Sequence, residues 1–172
     1  MKVVTWNCGG AFRKKCEHLE SVFKPDLIVV QECEDPDRSS EAFRRWAGDY
    51  LWTGEAKNKG IGVFDRRGVG LQPLDWNSEG LQLFLPCEVA DAFTLVAVWT
   101  KYANSPNFRY IGQLWKWIQL QRTKLAERPV LLCGDLNSNV RWDEWDRWWN
   151  HSDVVRELQE LNIGSVYHRR LP

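Results

Sequence analysis

The chain has few histidines, no close cysteine pairs, no long apolar run and no net charge. Five cysteines (Cys8, Cys16, Cys33, Cys87, Cys133) are odd in number and scattered. They lack the tight spacing of zinc sites and redox motifs, so they read as reduced, mostly buried small apolar residues. Cys8 could be a reactive thiol, but no histidine lies near it in sequence, which argues against that role. No apolar stretch approaches the ~20 residues of a membrane span, so a soluble chain without a membrane partner is expected. Met1-Lys2-Val3-Val4-Thr5 runs straight into a strand pattern with no signal-peptide core, which points to the cytoplasm. The 23 basic residues balance the 23 acidic ones. That balance excludes a high-affinity nucleic-acid coat protein but leaves room for an enzyme that holds phosphodiesters transiently through a local basic patch. At 172 residues, a single domain over 1–172 burying roughly two thirds of its unfolded surface is the expectation.

What is present is a set of apolar runs that end in acids and amides. A short strand over 2–6 delivers Asn7, and Gly9-Gly10 turns the chain. Cys16, Leu19, Val22 and Phe23 fall at helical spacing before Lys24-Pro25-Asp26, and a buried strand over 27–31 follows, ending in Gln31-Glu32. Residues 34–39 read as a loop, with Ser39 or Ser40 capping a short helix through Ala42, Phe43 and Trp46. Between residues 50 and 100 the pattern is a mostly antiparallel meander with runs at 50–53, 60–64, 69–72, 81–85 and 93–100. A long helix carries Ile111, Leu114, Trp115, Ile118 and Leu125 on its apolar side. It leads to the buried strand Val130-Leu131-Leu132-Cys133, which ends at Gly134-Asp135. Trp142, Trp145, Trp148 and Trp149 sit at helical spacing. A helix over about 153–161 and a β-like Ser165–His168 close the chain, whose last strand would present an unpaired edge at Pro172.

Strand ends are where a rigid sheet presents polar side chains to water. Hydrolysis of a phosphodiester requires a hard cation, an activated water and donors for the developing charge. Glu32 with help from Asn7 suits magnesium, which prefers one or two carboxylates with waters and substrate oxygens. Asp135 and Asn137 lie two apart beyond a strand, where one orients water and the other offers its amide to phosphate.

Thr5-Trp6-Asn7, Pro25–Glu32, Lys59-Gly60-Ile61-Gly62-Val63-Phe64 and Gly134-Asp135-Leu136-Asn137-Ser138-Asn139, in this order and spacing, resemble the endonuclease/exonuclease/phosphatase superfamily over nearly the whole chain. The resemblance implies a four-layer α/β sandwich of two packed, mostly antiparallel sheets flanked by helices. It also implies a Mg²⁺-dependent (or Mn²⁺-dependent) phosphoesterase site. Glu32 would be the principal metal ligand, with Asn7 helping to position metal and phosphate. Asp135 would orient or deprotonate water, and Asn137 would bind the scissile phosphate. Where the family often has a phosphate-contacting tyrosine or histidine, this chain has Trp99, Lys101 and Tyr102.

The family's late aspartate and terminal Ser-Asp-His-type sequence have no counterpart here, so the sandwich is expected to be incomplete at the C-terminus. A truncated reading frame is favoured over a natural inactive short form, and the 172 residues alone are expected to be weakly active or inactive. His18 and His151 read as solvated surface and His168 as structural. The tryptophan stripe 142/145/149 and Trp115 read as core, although exposed aromatics can stack bases. Arg13-Lys14-Lys15 and Lys57-Asn58-Lys59 are candidates for the rim of the site. The expected activity is DNA cleavage by in-line attack of water, in a protein monomeric when full-length. The alternatives are a phosphatase or phosphodiesterase for small molecules or lipids, and a non-catalytic interaction module.

Overall fold

Alternation along the strands decides which residues face which layer. The computed structural model describes residues 1–102 and 107–170, the side chain of His168 excepted. The chain forms two compact units, Met1–Trp99 with Leu131–Asp135, and Thr100–Val130 with Leu136–Pro172. In the first, β1 (Val3–Asn7), α1 (Cys16–Phe23), β2 (Leu27–Cys33), α2 (Glu41–Ala47), β3 (Tyr50–Ala56) and β4 (Lys59–Asp65) are followed by β5 (Leu71–Pro73), β6 (Phe84–Val89) and β7 (Phe93–Trp99). After α3 (Ile111–Glu127) of the second unit, β8 (Val130–Asp135) completes the sheets. One sheet has the order β1-β2-β4-β3 and the other β5-β6-β7-β8. β1 and β2 are parallel, whereas β2–β4, β3–β4, β5–β6 and β6–β7 are antiparallel.

Because strand side chains alternate, β2 serves two cores. Ile28, Val30 and Cys33 pack with Phe12, Cys16 and Leu19 around α1, and with Phe43 and Ala47 of α2. Leu27 and Val29, with Ile61 and Val63, meet Cys87, Val89, Leu95, Ala97 and Trp99 of the opposite sheet. A strand buried on both faces reads as a continuous apolar run, which is why this one was legible. The fold is an α/β sandwich of two mostly antiparallel sheets, as the motifs imply.

Several boundaries differ from expectation. The strand expected at 81–85 runs from Phe84 to Val89. The hairpin pairing of Val89 with Phe93 and Phe84 with Val98 sets its register. Pro86 is tolerated inside it because its carbonyl accepts from Leu74 N (3.1 Å) on the side where β5 has already stopped at Pro73, so its missing N–H removes no ladder bond there. On α1 only Cys16 and Leu19 are buried, while Val22 and Phe23 are exposed.

The second unit contains α3, α4 (His151–Glu160) and α5 (Val166–Arg170). On α3 the apolar side is completed by fully buried Trp117, whereas Trp115 is half-buried and stacks on Phe108. Arg122 ties α3 to α4 through Glu157 and Glu160. The β-like segment expected at Ser165–His168 is helical from Val166. The side-chain role expected of His168, and the strand edge expected at Pro172, lie outside the described residues. Among the described residues no helix is long and apolar enough to cross a membrane.

The tryptophan stripe is not a helix. After a 3₁₀ turn at Val140–Trp142, the chain wraps around the side chain of Asn150. This amide accepts from Glu144 N and Arg147 Nε, both at 2.9 Å, and donates to the carbonyls of Glu144 (2.9 Å) and Arg147 (2.6 Å). Asp143 caps α4 by accepting from the backbone of His151 and Ser152. Asn and Asp offer the backbone alternatives to helical pairing, and here they outcompete the apolar periodicity. Trp142, Trp145 and Trp148 are consequently 63%, 98% and 63% exposed, not core.

Candidate active site

Two parallel strands, β1 and β2, end side by side, with Asn7 paired to Gln31. Glu32 is therefore the next residue beyond the paired end of β2. The C-terminal ends of parallel strands are where α/β sheets bind ligands. At this point β2 slips register between Gln31 and Cys33, and Glu32 adopts φ 61°. A bulge at a sheet end re-aims a side chain, and a glutamate held in the left-handed region is strain of the kind found at functional sites.

From the edge of the other sheet, β8 brings Asp135. Gly134 at φ 145° makes that approach available, since a Cβ there would sit 1.8 Å from the Val98 carbonyl oxygen. Asn7 Nδ2 donates to Asp135 Oδ2 at 2.7 Å and to Glu32 Oε1 at 3.2 Å. Its Oδ1 accepts from Gly9 N at 3.1 Å. These partners determine the amide orientation, because a flipped amide would set its oxygen against two carboxylates and its NH₂ against an N–H. Asn7, expected partly as a metal ligand, thus has its NH₂ directed to the two carboxylates and its oxygen accepting from the Gly9 turn. Lys59, at the start of β4, places Nζ 3.6 Å from Glu32 Oε2. Residues 25 and 128 positions apart from Asn7 thus meet at one amide.

The surrounding residues hold this geometry. Cys8 N donates to Gln31 O (3.1 Å) and its thiol to Glu32 O (3.3 Å). Burial pushes the Cys8 thiol up, so it is a structural residue and not a reactive thiolate. Lys15 donates to the carbonyls of Cys8 (2.5 Å) and Gly10 (2.9 Å), pinning the loop after Asn7. Arg13 pairs with Glu34, a carboxylate whose side chain is only 3% exposed. These two basic residues brace the loop; Lys14 is exposed. The Arg13–Glu34 pair was invisible in sequence, because Glu34 opens an acidic stretch that looks like any solvated loop.

Two carboxylates within hydrogen-bond reach of one atom repel each other unless a cation lies between or beside them. The described residues contain no group of three or more His, Cys, Asp or Glu placed to hold a metal. The donor set is two carboxylates and solvent, which fits a hard divalent cation that keeps several waters and does not fit zinc. Asn7 is exposed, and Glu32 and Asp135 are partly so.

The other predicted residues make contacts of their own. Trp99 is 6% exposed and sits in the core between the sheets, so it does not present a surface to phosphate. In the second unit, Asn137 adopts φ 42° and donates through Nδ2 to Thr100 O at 2.7 Å, while Thr100 Oγ1 donates to Leu136 O at 2.5 Å. Lys101 is half-buried, with its carbonyl accepting from Tyr110 N. Tyr102 is 57% exposed, with the Arg109 guanidinium 4.4 Å from its ring centre. His151, expected to be solvated surface, is half-buried and shares a 3.2 Å hydrogen bond between Nδ1 and Ser138 Oγ.

Comparison with known proteins bears on the fold and the family. No curated protein sequence matches the chain. Among solved structures, it is similar to an AP endonuclease from Archaeoglobus fulgidus at 16% identity, covering 94% of this chain and 70% of that one, with a TM-score of 0.60. It is also similar to the 3'-5' exonuclease NExo from Neisseria meningitidis at 18% identity, covering 94% and 71%, with a TM-score of 0.62. A third similar structure, described as the 3' phosphatase NExo from Neisseria bound to a product DNA hairpin, shares 17% identity, with the same coverage and a TM-score of 0.63. At these identities the likeness is one of fold. The model of the Endonuclease/Exonuclease/phosphatase family matches residues 4–156. The chain belongs to that family.

Proposed function

We propose that the protein is a divalent-metal-dependent phosphodiester hydrolase acting on DNA. The observation that carries this reading is the convergence of Glu32 and Asp135 on the single amide of Asn7. Glu32 would hold magnesium, which when bound supplies neutralisation of the phosphate charge and polarisation of water. Asn7 keeps the two carboxylates in register and thereby removes the cost of assembling them during the reaction. Asp135 accepts a hydrogen bond from the attacking water and aligns it in line with the scissile bond. Asn137, two residues farther along the chain, offers its amide to a phosphate oxygen. Lys59 adds positive charge beside Glu32. Lys101 and Tyr102 follow as candidate phosphate contacts. The DNA hairpin named for one similar structure supports DNA as the substrate.

The test is hydrolysis of a DNA strand with Mg²⁺. Asp135→Asn is expected to lower kcat about 10²- to 10⁴-fold, the usual contribution of a general acid or base, while leaving Mg²⁺ binding in place. Glu32→Ala is expected to abolish both. Activity unchanged in both variants would contradict the assignment of these residues, and no hydrolysis by the wild-type chain would leave an interaction module of the same fold. A second reading, release of a terminal 3' phosphate, is favoured by the description of one similar structure as a 3' phosphatase. Scoring inorganic phosphate against shortened strands separates the two.

A further inference from the structure

The second unit contains a cavity of about 690 Å³, within the size range of small-ligand sites. Its lining includes the aromatic residues Tyr110, Trp142 and Trp149, with Arg109, Asn137 and Ser138. We infer that this cavity is a subsite for one nucleotide of a single-stranded nucleic acid, its base stacked on Trp142 and its phosphate at Arg109. The inference deepens the proposed function and rests on it.

Preorganisation is the first support. Trp142 is 63% exposed, yet its backbone is fixed at both ends, N donating to Asn139 O (2.9 Å) and O accepting from Arg147 (2.7 Å). Tyr110, 43% exposed, is held at φ 49° just before α3. A bulky residue in the left-handed region is an outlier that costs stability. It is secured by Tyr110 N donating to Lys101 O (3.0 Å) and Tyr110 O accepting from Gln113 N (2.9 Å). Trp149 lies against α3 at Gly112, where a Cβ would come within 2.7 Å of its ring. Aromatics displayed from a hydrogen-bonded backbone are what base stacking uses.

Charge is the second. The cavity is also lined by Asp143, Glu144 and Arg147. Asp143 accepts from the backbone and hydroxyl of Ser152 and from His151 N, and burial pushes its carboxyl up less than these donors and the His151 ring hold it down. Glu144 pairs with Arg147 at 3.3 Å. Asp143 thus stays a hydrogen-bonded carboxylate turned to the start of α4 and Glu144 is paired with Arg147, while Arg109 is exposed with its guanidinium over Tyr102. A neutral amide and a hydroxyl, Asn137 and Ser138, complete a wall that suits the polar edge of a base. An aromatic wall with one outward cation matches a nucleotide better than it matches an acidic peptide or an apolar segment.

The test is anisotropy of a labelled single-stranded homopolymer with the full chain in EDTA, so that no cleavage intervenes. Trp142→Ala is expected to weaken binding about 5- to 150-fold, the range for loss of one stacked base. Trp142→Phe is expected to restore most of it, and Arg109→Ala to reduce the salt slope by about 0.7. Trp145→Ala, at a residue 98% exposed but outside the cavity lining, is expected to change nothing. Equal losses in the alanine variants at 142 and 145, no loss at 142, no binding at all, or duplex binding as tightly as the single strand would each overturn the subsite. Cleavage of a small aryl phosphodiester with Mg²⁺ is read in parallel. If it depends on Glu32 while strand binding ignores Trp142, the subsite fails and the hydrolase stands; the converse result fails the hydrolase alone.

Discussion

At the scale of single residues, Asn7 matters because it is the one neutral group between two acids. Asn7→Asp would remove the donor and add a third carboxylate, so the metal-free protein should lose stability through like-charge repulsion. A ligand that binds only the folded state stabilises by mass action, so Mg²⁺ should raise the melting temperature of Asn7→Asp by more than that of the wild type. Thermal unfolding in EDTA and in Mg²⁺ checks this; an equal increment in both proteins would contradict it. Asn7, Glu32 and Asp135 were legible because each follows an apolar run and sits in a known motif. The orientation of the Asn7 amide was not, since which of its atoms faces which partner depends on Gly9, a turn no periodicity describes. Trp99 was singled out only by the family's pattern at the end of that strand, and it is buried because β7 is covered on both faces.

At the scale of elements, the loop 142–150 shows how local hydrogen bonding defeats periodicity. Four tryptophans at helical spacing predict a packed helix, yet Asn150 collects four bonds from the loop and forms a capping box with Asp153 at the start of α4. Asn150→Ala should therefore loosen the loop and fray α4 together, at about 1–3 kcal/mol for the buried partners left unpaired. Urea unfolding measures the loss; a cost no larger than that of an exposed surface substitution would show that the loop holds itself. The buried strand β2 was readable from its apolar run, and so was β8 as a strand, but β8, expected to be buried, lies at a sheet edge and is half-buried throughout. The β6 boundary was not readable, because the usual strand-breaking effect of Pro86 is cancelled by where β5 stops. Neither was α5, whose residues Val166 and Tyr167 favour strand by intrinsic propensity alone.

At the scale of the whole molecule, acid sensitivity should follow from carboxylates held low in the folded state. Burial pushes Asp65 up, but backbone N–H groups of Gly70, Val69, Arg67 and Gly68 together hold it below its usual range. Glu20 is likewise raised by burial and lowered more by Arg66 and Trp46. A folded-state pKa below the unfolded one, about 4 for these groups, contributes stability that is complete above that value and is lost as pH falls toward the folded pKa. Unfolding free energy should thus fall progressively below pH ~4, and Asp65→Asn should flatten that fall while lowering stability at neutral pH. A variant that retained the full acid slope would contradict the assignment. The sandwich itself was legible because its motifs lie on strands that the apolar pattern already marks.

The central claim is that Glu32, held beside Asp135 by the Asn7 amide, is the carboxylate that binds one divalent cation. Calorimetric titration of Mg²⁺ into the wild-type chain, Glu32→Ala and Asp135→Asn tests it most directly. One ion per wild-type chain, lost in Glu32→Ala and retained in Asp135→Asn, is the predicted result; Mg²⁺ binding undiminished by Glu32→Ala would contradict the account.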